Sequence, residues 1–105
     1  MAATVIDNTA ESRYELHVDG VVGAFIQYQL RGDVTDLIHT ETVAGFEGQG
    51  LAGVLVAGVL DDIRSRGRQI RPTCPYVRRY VSKRPEYHDL VPEHLRALLV
   101  DGQQG

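Results

Sequence analysis

The chain of 105 residues has a single cysteine, Cys74, so it can form no disulfide within itself, and no Cys/His spacing in it resembles a structural zinc site. A chain so poor in cysteine suits a reducing, cytoplasmic compartment. Nothing in it approaches the ~18 apolar residues that a membrane span requires, and residues 1–10 have neither the basic start nor the apolar run of a secretory signal. The expectation is a protein with no membrane partner. Internal repeats and low-complexity segments are lacking too. Positive charge is scarce at first: residues 1–63 hold ten carboxylates against Arg13 and Arg31, whereas residues 64–105 hold nine basic and four acidic groups. The acidic balance as a whole argues against a nucleic-acid partner. The basic set between Arg64 and Arg84 points to one positive face, enough for a compact anionic ligand.

With 43% hydrophobic and 24% charged residues, the composition is that of one globular domain. Residues 1–12 show little periodicity and read as a flexible lead-in, 13–100 as the domain and 101–105 as a flexible tail. From Arg13 the pattern alternates: Tyr14, Leu16 and Val18 point one way and Arg13, Glu15 and His17 the other, as in a half-buried strand. Asp19-Gly20 reads as a hairpin turn. A second strand runs from Val21 to Leu30 with Ala24, Ile26, Tyr28 and Leu30 on one side, and Gly32-Asp33 turns the chain again. The third strand, Val34 to Val43, is expected to put Leu37, His39, Glu41 and Val43 on one face and Ile38, Thr40 and Thr42 on the other.

The period then changes to about 3.6, and Leu51, Leu55, Val59 and Ile63, with Ala52, Val56 and Leu60, give a broad apolar helix face. Gly53 and Gly58 each cost that helix about 1 kcal/mol relative to Ala, which calls for compensation by close approach to the sheet or a ligand. Gly67 ends the helix. Gln69–Thr73 reads as a fourth strand, parallel to the third because a helical crossover joins them. A shorter helix is predicted from Pro75 to before Pro85, and a last one over Pro92–Val100. The fold expected is α/β of the α+β kind: a mixed sheet with a three-strand antiparallel meander, a long helix, a short parallel strand and short C-terminal helices.

Between the third strand and the long helix lies Ala44-Gly45-Phe46-Glu47-Gly48-Gln49-Gly50-Leu51-Ala52-Gly53. Its glycines strip side chains from a strand-to-helix bend, leaving main-chain N–H groups at the positive end of the helix, where a phosphate or pyrophosphate fits. The loop does not match the phosphate-loop pattern, since no Lys-Ser/Thr follows Gly50. Nor does it fit the dinucleotide fingerprint, which belongs in a strand-helix-strand unit.

Four blocks in order, His39-Thr40-Glu41-Thr42-Val43, Glu47-Gly48-Gln49-Gly50-Leu51-Ala52, Thr73-Cys74-Pro75-Tyr76-Val77 and Arg84-Pro85-Glu86-Tyr87, make the chain resemble the GNAT superfamily of acyl-CoA-dependent N-acetyltransferases, in particular its small single-domain members. The resemblance spans roughly Tyr14 to Tyr87. It implies that the amides of Gly48, Gln49, Gly50, Leu51, Ala52 and Gly53 hold the pyrophosphate of acetyl-CoA, the cosubstrate, with no metal. The superfamily signature Gln/Arg-x-x-Gly-x-Gly/Ala is met at Gly50 and Ala52, and Glu47 departs from it. The resemblance also implies that the main chain around Val43 pairs with the pantetheine arm, that the strand from Gln69 splays to admit it beside Cys74, and that Arg78, Arg79, Lys83 or Arg84 meets the ribose phosphate.

Acetyl transfer to an amine needs a deprotonated nucleophile, a stabilised oxyanion and a proton for the leaving thiolate. Cys74 is a candidate as covalent acyl carrier, as proton donor or as a small buried residue. Tyr76 and Tyr80 are candidate acids, although the usual superfamily tyrosine falls nearer Val81. His39 and Glu41, two residues apart on one strand face, are candidate bases, or they satisfy each other. The first reading is an acetyl-CoA-binding N-acetyltransferase, monomeric or weakly dimeric, acting on an amine that a protein lysine or a small molecule supplies. The second is a non-catalytic CoA-binding or protein-interaction module of the same fold.

Overall fold

The computed structural model describes residues 2–103, with the side chains of 2–99. Strand β1 (Ala3–Asn8) leads through a 3-10 turn to β2 (Arg13–Val18), β3 (Val21–Arg31) and β4 (Val34–Thr42), then helix α1 (Leu51–Ser65), β5 (Gln69–Pro72) and helix α2 (Pro75–Ser82). Two 3-10 segments follow, Pro85–Leu90 and Glu93–Gln103. The five strands form one sheet in the order β1-β2-β3-β4-β5, antiparallel throughout except for the parallel pair β4–β5. This is the expected fold class with one strand more: the meander has four strands.

The extra strand lies in the segment read as a lead-in. Its inward face carries Val5 and Asp7, and Asp7 accepts a 2.7 Å hydrogen bond from the Tyr28 hydroxyl, while Ile6 points outward and is 42% exposed. An acid facing in and an isoleucine facing out invert the alternation by which a strand is read. At the other end, the predicted last helix is the 3-10 segment Glu93–Gln103. It takes in residues 101–103 of the tail, and 104–105 lie outside the described residues.

The turns follow their residues. Asp19 (φ 51°) and Gly20 (φ 85°) take the two successive positive φ angles of a primed hairpin turn. One hydrophobic core forms on one face of the sheet. Leu16, Ile26 and Leu37 from the strands meet Leu55, Val56, Val59, Leu60 and Ile63 of α1 and Val77 and Val81 of α2. Among the described residues no helix covers the other face, in keeping with a least dimension of 19 Å, about one sheet and one helix layer. No described helix is long and apolar enough to cross a membrane.

β4 carries the feature that shapes the site. Gln27 pairs with His39 but Tyr28 pairs with Leu37, leaving Ile38 as an extra residue in β4. Such a bulge shifts the side-chain alternation by one. The expected faces are therefore corrected: beyond the bulge Thr40 and Thr42, opposite the buried Ile26 and Ala24, join Leu37 on the helix face, and His39 and Glu41 turn to the bare face.

Candidate functional site

β4 and β5 run together only from Val34–Gln69 to Leu37–Pro72. The Cys74 N–H then donates to the Leu37 carbonyl at 2.8 Å, and β5 gives way to α2 at Pro75, whose ring suits a first helical turn. From His39 on, β4 has a neighbour on one side only. The Val43 N–H donates to the Gly23 carbonyl, and its carbonyl accepts from the Phe46 N–H. Alternation along the antiparallel ladder then puts the main-chain groups of Thr40 and Thr42 on the edge facing the gap. Val43 itself, expected to pair with an extended ligand, already has both groups engaged, and the open edge belongs to the two threonines.

Past Val43 the chain turns through the glycine loop. Gly48 and Gly50 have φ of 78° and 71°, the left-handed region that glycine enters without a steric cost. Gly50 is the N-cap residue of α1 and offers no side-chain acceptor. The first-turn N–H groups of Leu51, Ala52 and Gly53 therefore lack both an intrahelical partner and a cap. Gln49 is exposed. Glu47 is exposed as well and folds back so that its Oε1 accepts the Gly45 N–H at 2.9 Å. Leu51 and Phe46 pack over Gly23, where a Cβ would come within 3.2 Å of each. This contact fixes the loop on the sheet.

Beside the first turn of α1 lies a cavity of about 240 Å³ lined by Gly53, Tyr76, Arg79, Tyr80, Lys83 and Arg84. Three cations and no carboxylate line it. The Arg84 guanidinium stacks 3.6 Å from the centre of the Tyr80 ring and donates to the Tyr80 carbonyl at 3.1 Å, so its charge is held in place. Of the predicted basic residues, Arg79, Lys83 and Arg84 share this cavity. Arg78 does not line it: its guanidinium donates to the carbonyls of Pro72 (3.4 Å) and Thr73 (3.0 Å), bracing the turn from β5 into α2.

The candidate catalytic groups fall into two sets. Cys74, 3% exposed, has its Sγ 3.3 Å from the Thr40 Oγ1 at the head of the gap, on the helix face. His39 and Glu41 sit on the bare face with Nε2 and Oε1 3.2 Å apart, each side chain about half exposed. Tyr76 belongs to the basic cavity, its hydroxyl 3.6 Å from where a Cβ on Gly53 would stand. Val81 is fully buried in the core. The sequence reading missed Thr40 and Thr42 as parts of the site, and it weighed Tyr80 only as an acid, whereas its ring lines the basic cavity and carries Arg84. The spacing of Tyr80 and Arg84, four residues apart, is the one signal that marked the stacked pair; nothing in the sequence marks the bulge that brings the threonines round. Among the described residues, no cluster of three His, Cys, Asp or Glu side chains could hold a metal ion.

The family model for GCN5-related N-acetyl-transferases matches residues 13–90. Protein NATD1 of Mus musculus and of Homo sapiens are each 30% identical to the chain over 76 residues, which cover 71% of it and 64% and 63% of those proteins. The matched segment thus spans just under two thirds of these relatives. The solution structure of a GCN5-like putative N-acetyltransferase from Staphylococcus aureus aligns with a TM-score of 0.64 at 19% identity, covering 85% of this chain and 87% of that one. The ribosomal-protein-S18-alanine N-acetyltransferase of Escherichia coli aligns with a TM-score of 0.50 at 24% identity, over 55% of this chain and 38% of that one. The two structures are likenesses of fold. The family match covers most of the domain that carries the open β4 edge and the glycine loop, and the chain belongs to the GCN5-related N-acetyl-transferase family.

Proposed function

We propose that the chain binds acetyl-CoA along the open edge of β4 and transfers its acetyl group to an amine. The observation that carries this reading is the continuity of three features: the unpaired edge at Thr40 and Thr42, the uncapped amides at the start of α1, and the cavity with Arg79, Lys83 and Arg84. In that order they suit an extended amide-bearing arm, a diphosphate and a further phosphate. The thioester supplies the activated acyl group.

In this reading the chain's own groups divide the proton transfers between the faces of β4. An amine arriving over the bare face attacks the acetyl carbon, the carbon–sulfur bond breaks, and the nitrogen loses its proton to Glu41 or His39 directly or through water. The departing thiolate takes a proton on the helix face, where Cys74 and Thr40 are the nearest donors. Tyr76, set back in the basic cavity, serves the cosubstrate's binding in this reading. The acceptor is an amine held on a protein or a small molecule, since the bare face offers an open approach.

A second reading, binding of CoA without efficient turnover, is favoured by the fully buried Val81 near the place where the family resemblance expects a tyrosine acid. Titration calorimetry with CoA and thiol release from acetyl-CoA in the presence of mixed amines separate the two. The enzyme takes up CoA and releases thiol above the uncatalysed rate; the binder only takes up CoA. No uptake at millimolar CoA by folded protein overturns both.

A further inference from the structure

The outer edge of β1 points to an interaction surface of a different kind. The Asp19 N–H donates to the Ala2 carbonyl, and the register runs without a bulge from Ala3–Val18 to Asn8–Arg13. Alternation then turns the main-chain groups of Thr4, Ile6 and Asn8 towards β2 and those of Ala3, Val5 and Asp7 outward. No described strand pairs with them, since β1 ends the sheet. Exposed edges usually carry a device against pairing, such as a proline, a lysine, a bulge or very short length. β5, the opposite edge, is four residues long and ends on Pro72. β1 has six residues and none of these four devices; its one inward-facing charge, Asp7, is already engaged by the Tyr28 hydroxyl.

We infer that β1 pairs antiparallel with β1 of a second copy, making one ten-stranded sheet with a two-fold axis at Val5. The outward residues are self-complementary in that register. Val5 exchanges two hydrogen bonds with Val5 of the second copy, and Ala3 and Asp7 each exchange two with Asp7 and Ala3 across the axis. Every outward N–H and C=O of β1 is satisfied. Side chains agree with this pairing. On the bare face Ile6, 42% exposed, comes opposite Thr4 and gains cover. On the helix face the acidic Asp7, already bonded to Tyr28, comes opposite Ala3, so no like charges meet. The β4–β5 gap lies at the far side of the sheet and stays open in both copies, so this pairing does not depend on the chemistry proposed for the gap.

Sedimentation of the full chain from micromolar to millimolar concentration tests the pairing. The expected result is a reversible monomer–dimer equilibrium, with amide exchange at Ala3, Val5 and Asp7 slowing as concentration rises. Val5→Pro removes an N–H that the β1–β2 ladder does not use and is expected to raise the dissociation constant tenfold or more. Ile6→Lys does the same by placing charge at the joint, and because Ile6 is exposed it leaves the fold intact even if the proline variant is unstable. A chain that stays monomeric at millimolar concentration overturns the proposal. So does a dimer whose dissociation constant neither variant changes.

Discussion

The Thr40 hydroxyl and the Cys74 thiol stand 3.3 Å apart where β4 and β5 part, so the only thiol of the chain has a side-chain partner at the head of the proposed thioester channel. If it returns a proton to the departing thiolate, Cys74→Ala lowers the rate of acetyl transfer about tenfold or more, within the usual worth of general acid catalysis. The affinity for CoA, measured by calorimetry, then changes little. Cys74→Ser keeps a hydrogen-bonding group beside Thr40 and lies between. The intact mass of the native chain stays unchanged after treatment with acetyl-CoA; an added acetyl group lost in Cys74→Ala identifies an acyl carrier instead.

The basic residues of α2 divide by what they touch. Arg79 and Lys83 line the cavity beside Gly53, while Arg78 holds the carbonyls of Pro72 and Thr73. Arg79→Ala combined with Lys83→Ala is expected to weaken CoA about tenfold or more, and dephospho-CoA distinctly less, because charge-assisted contacts to a phosphate are lost. Arg78→Ala is expected to leave affinity nearly unchanged and to lower thermal stability, at about 1–3 kcal/mol for carbonyls robbed of a charged donor. Equal loss of affinity in both variants contradicts the assignment.

The division between what was legible in the sequence and what was not follows from how far each feature depends on distant parts of the chain. α1, α2, both hairpin turns and the parallel β5 are set by local signals: the 3.6-residue repeat from Leu51 to Ile63, Pro75 at a helix start, Gly67 at a helix end, Asp19-Gly20 between alternating runs. β1 was hidden because Asp7 faces inward, and that is tolerable only because Tyr28, two strands away, offers it a hydroxyl. The face of His39 and Glu41 was misread because the alternation was carried unbroken past Ile38. The bulge there is a property of the β3–β4 pairing, which no residue of β4 announces. Glycine spacing located the loop correctly, and the open edge beside it had to be read from pairing.

On the bare face Glu15, 5% exposed, accepts hydrogen bonds from Asn8 (2.9 Å) and the Arg13 guanidinium (2.7 Å), with His17 Nε2 at 2.8 Å. Bonds from Asn8 and His17, with further help from Arg13, bring its carboxyl from an ordinary 4.5 down to about 2, against the opposing effect of burial. A carboxylate more acidic in the folded than in the unfolded chain stabilises the fold above its unfolded pKa, and the contribution disappears as pH falls through the folded value. The gap in melting temperature between the native chain and Glu15→Gln is therefore expected to be full above pH 4.5 and to close between about pH 4.5 and pH 2. A gap that does not vary with pH over that window rules out the ionised pair as its source.

The two glycines inside α1 should respond in opposite ways to alanine. At Gly58 a Cβ falls 2.6 Å from Val5 Cγ2 and 3.4 Å from Val5 Cβ, and valine, stiff about χ1, cannot swing aside freely. The overlap, at about 1–3 kcal/mol for an overpacked site, outweighs the roughly 1 kcal/mol that alanine adds to helix propensity. Gly58→Ala thus lowers the melting temperature and loosens β1 first, which faster amide exchange at Thr4 and Ile6 detects. At Gly53 the nearest atom is the Tyr76 hydroxyl at 3.6 Å, an ordinary contact, so Gly53→Ala raises the melting temperature. Its methyl group intrudes on the wall of the basic cavity, and weaker uptake of CoA by this more stable variant would show that the helix keeps its glycine there for the ligand and not for the fold.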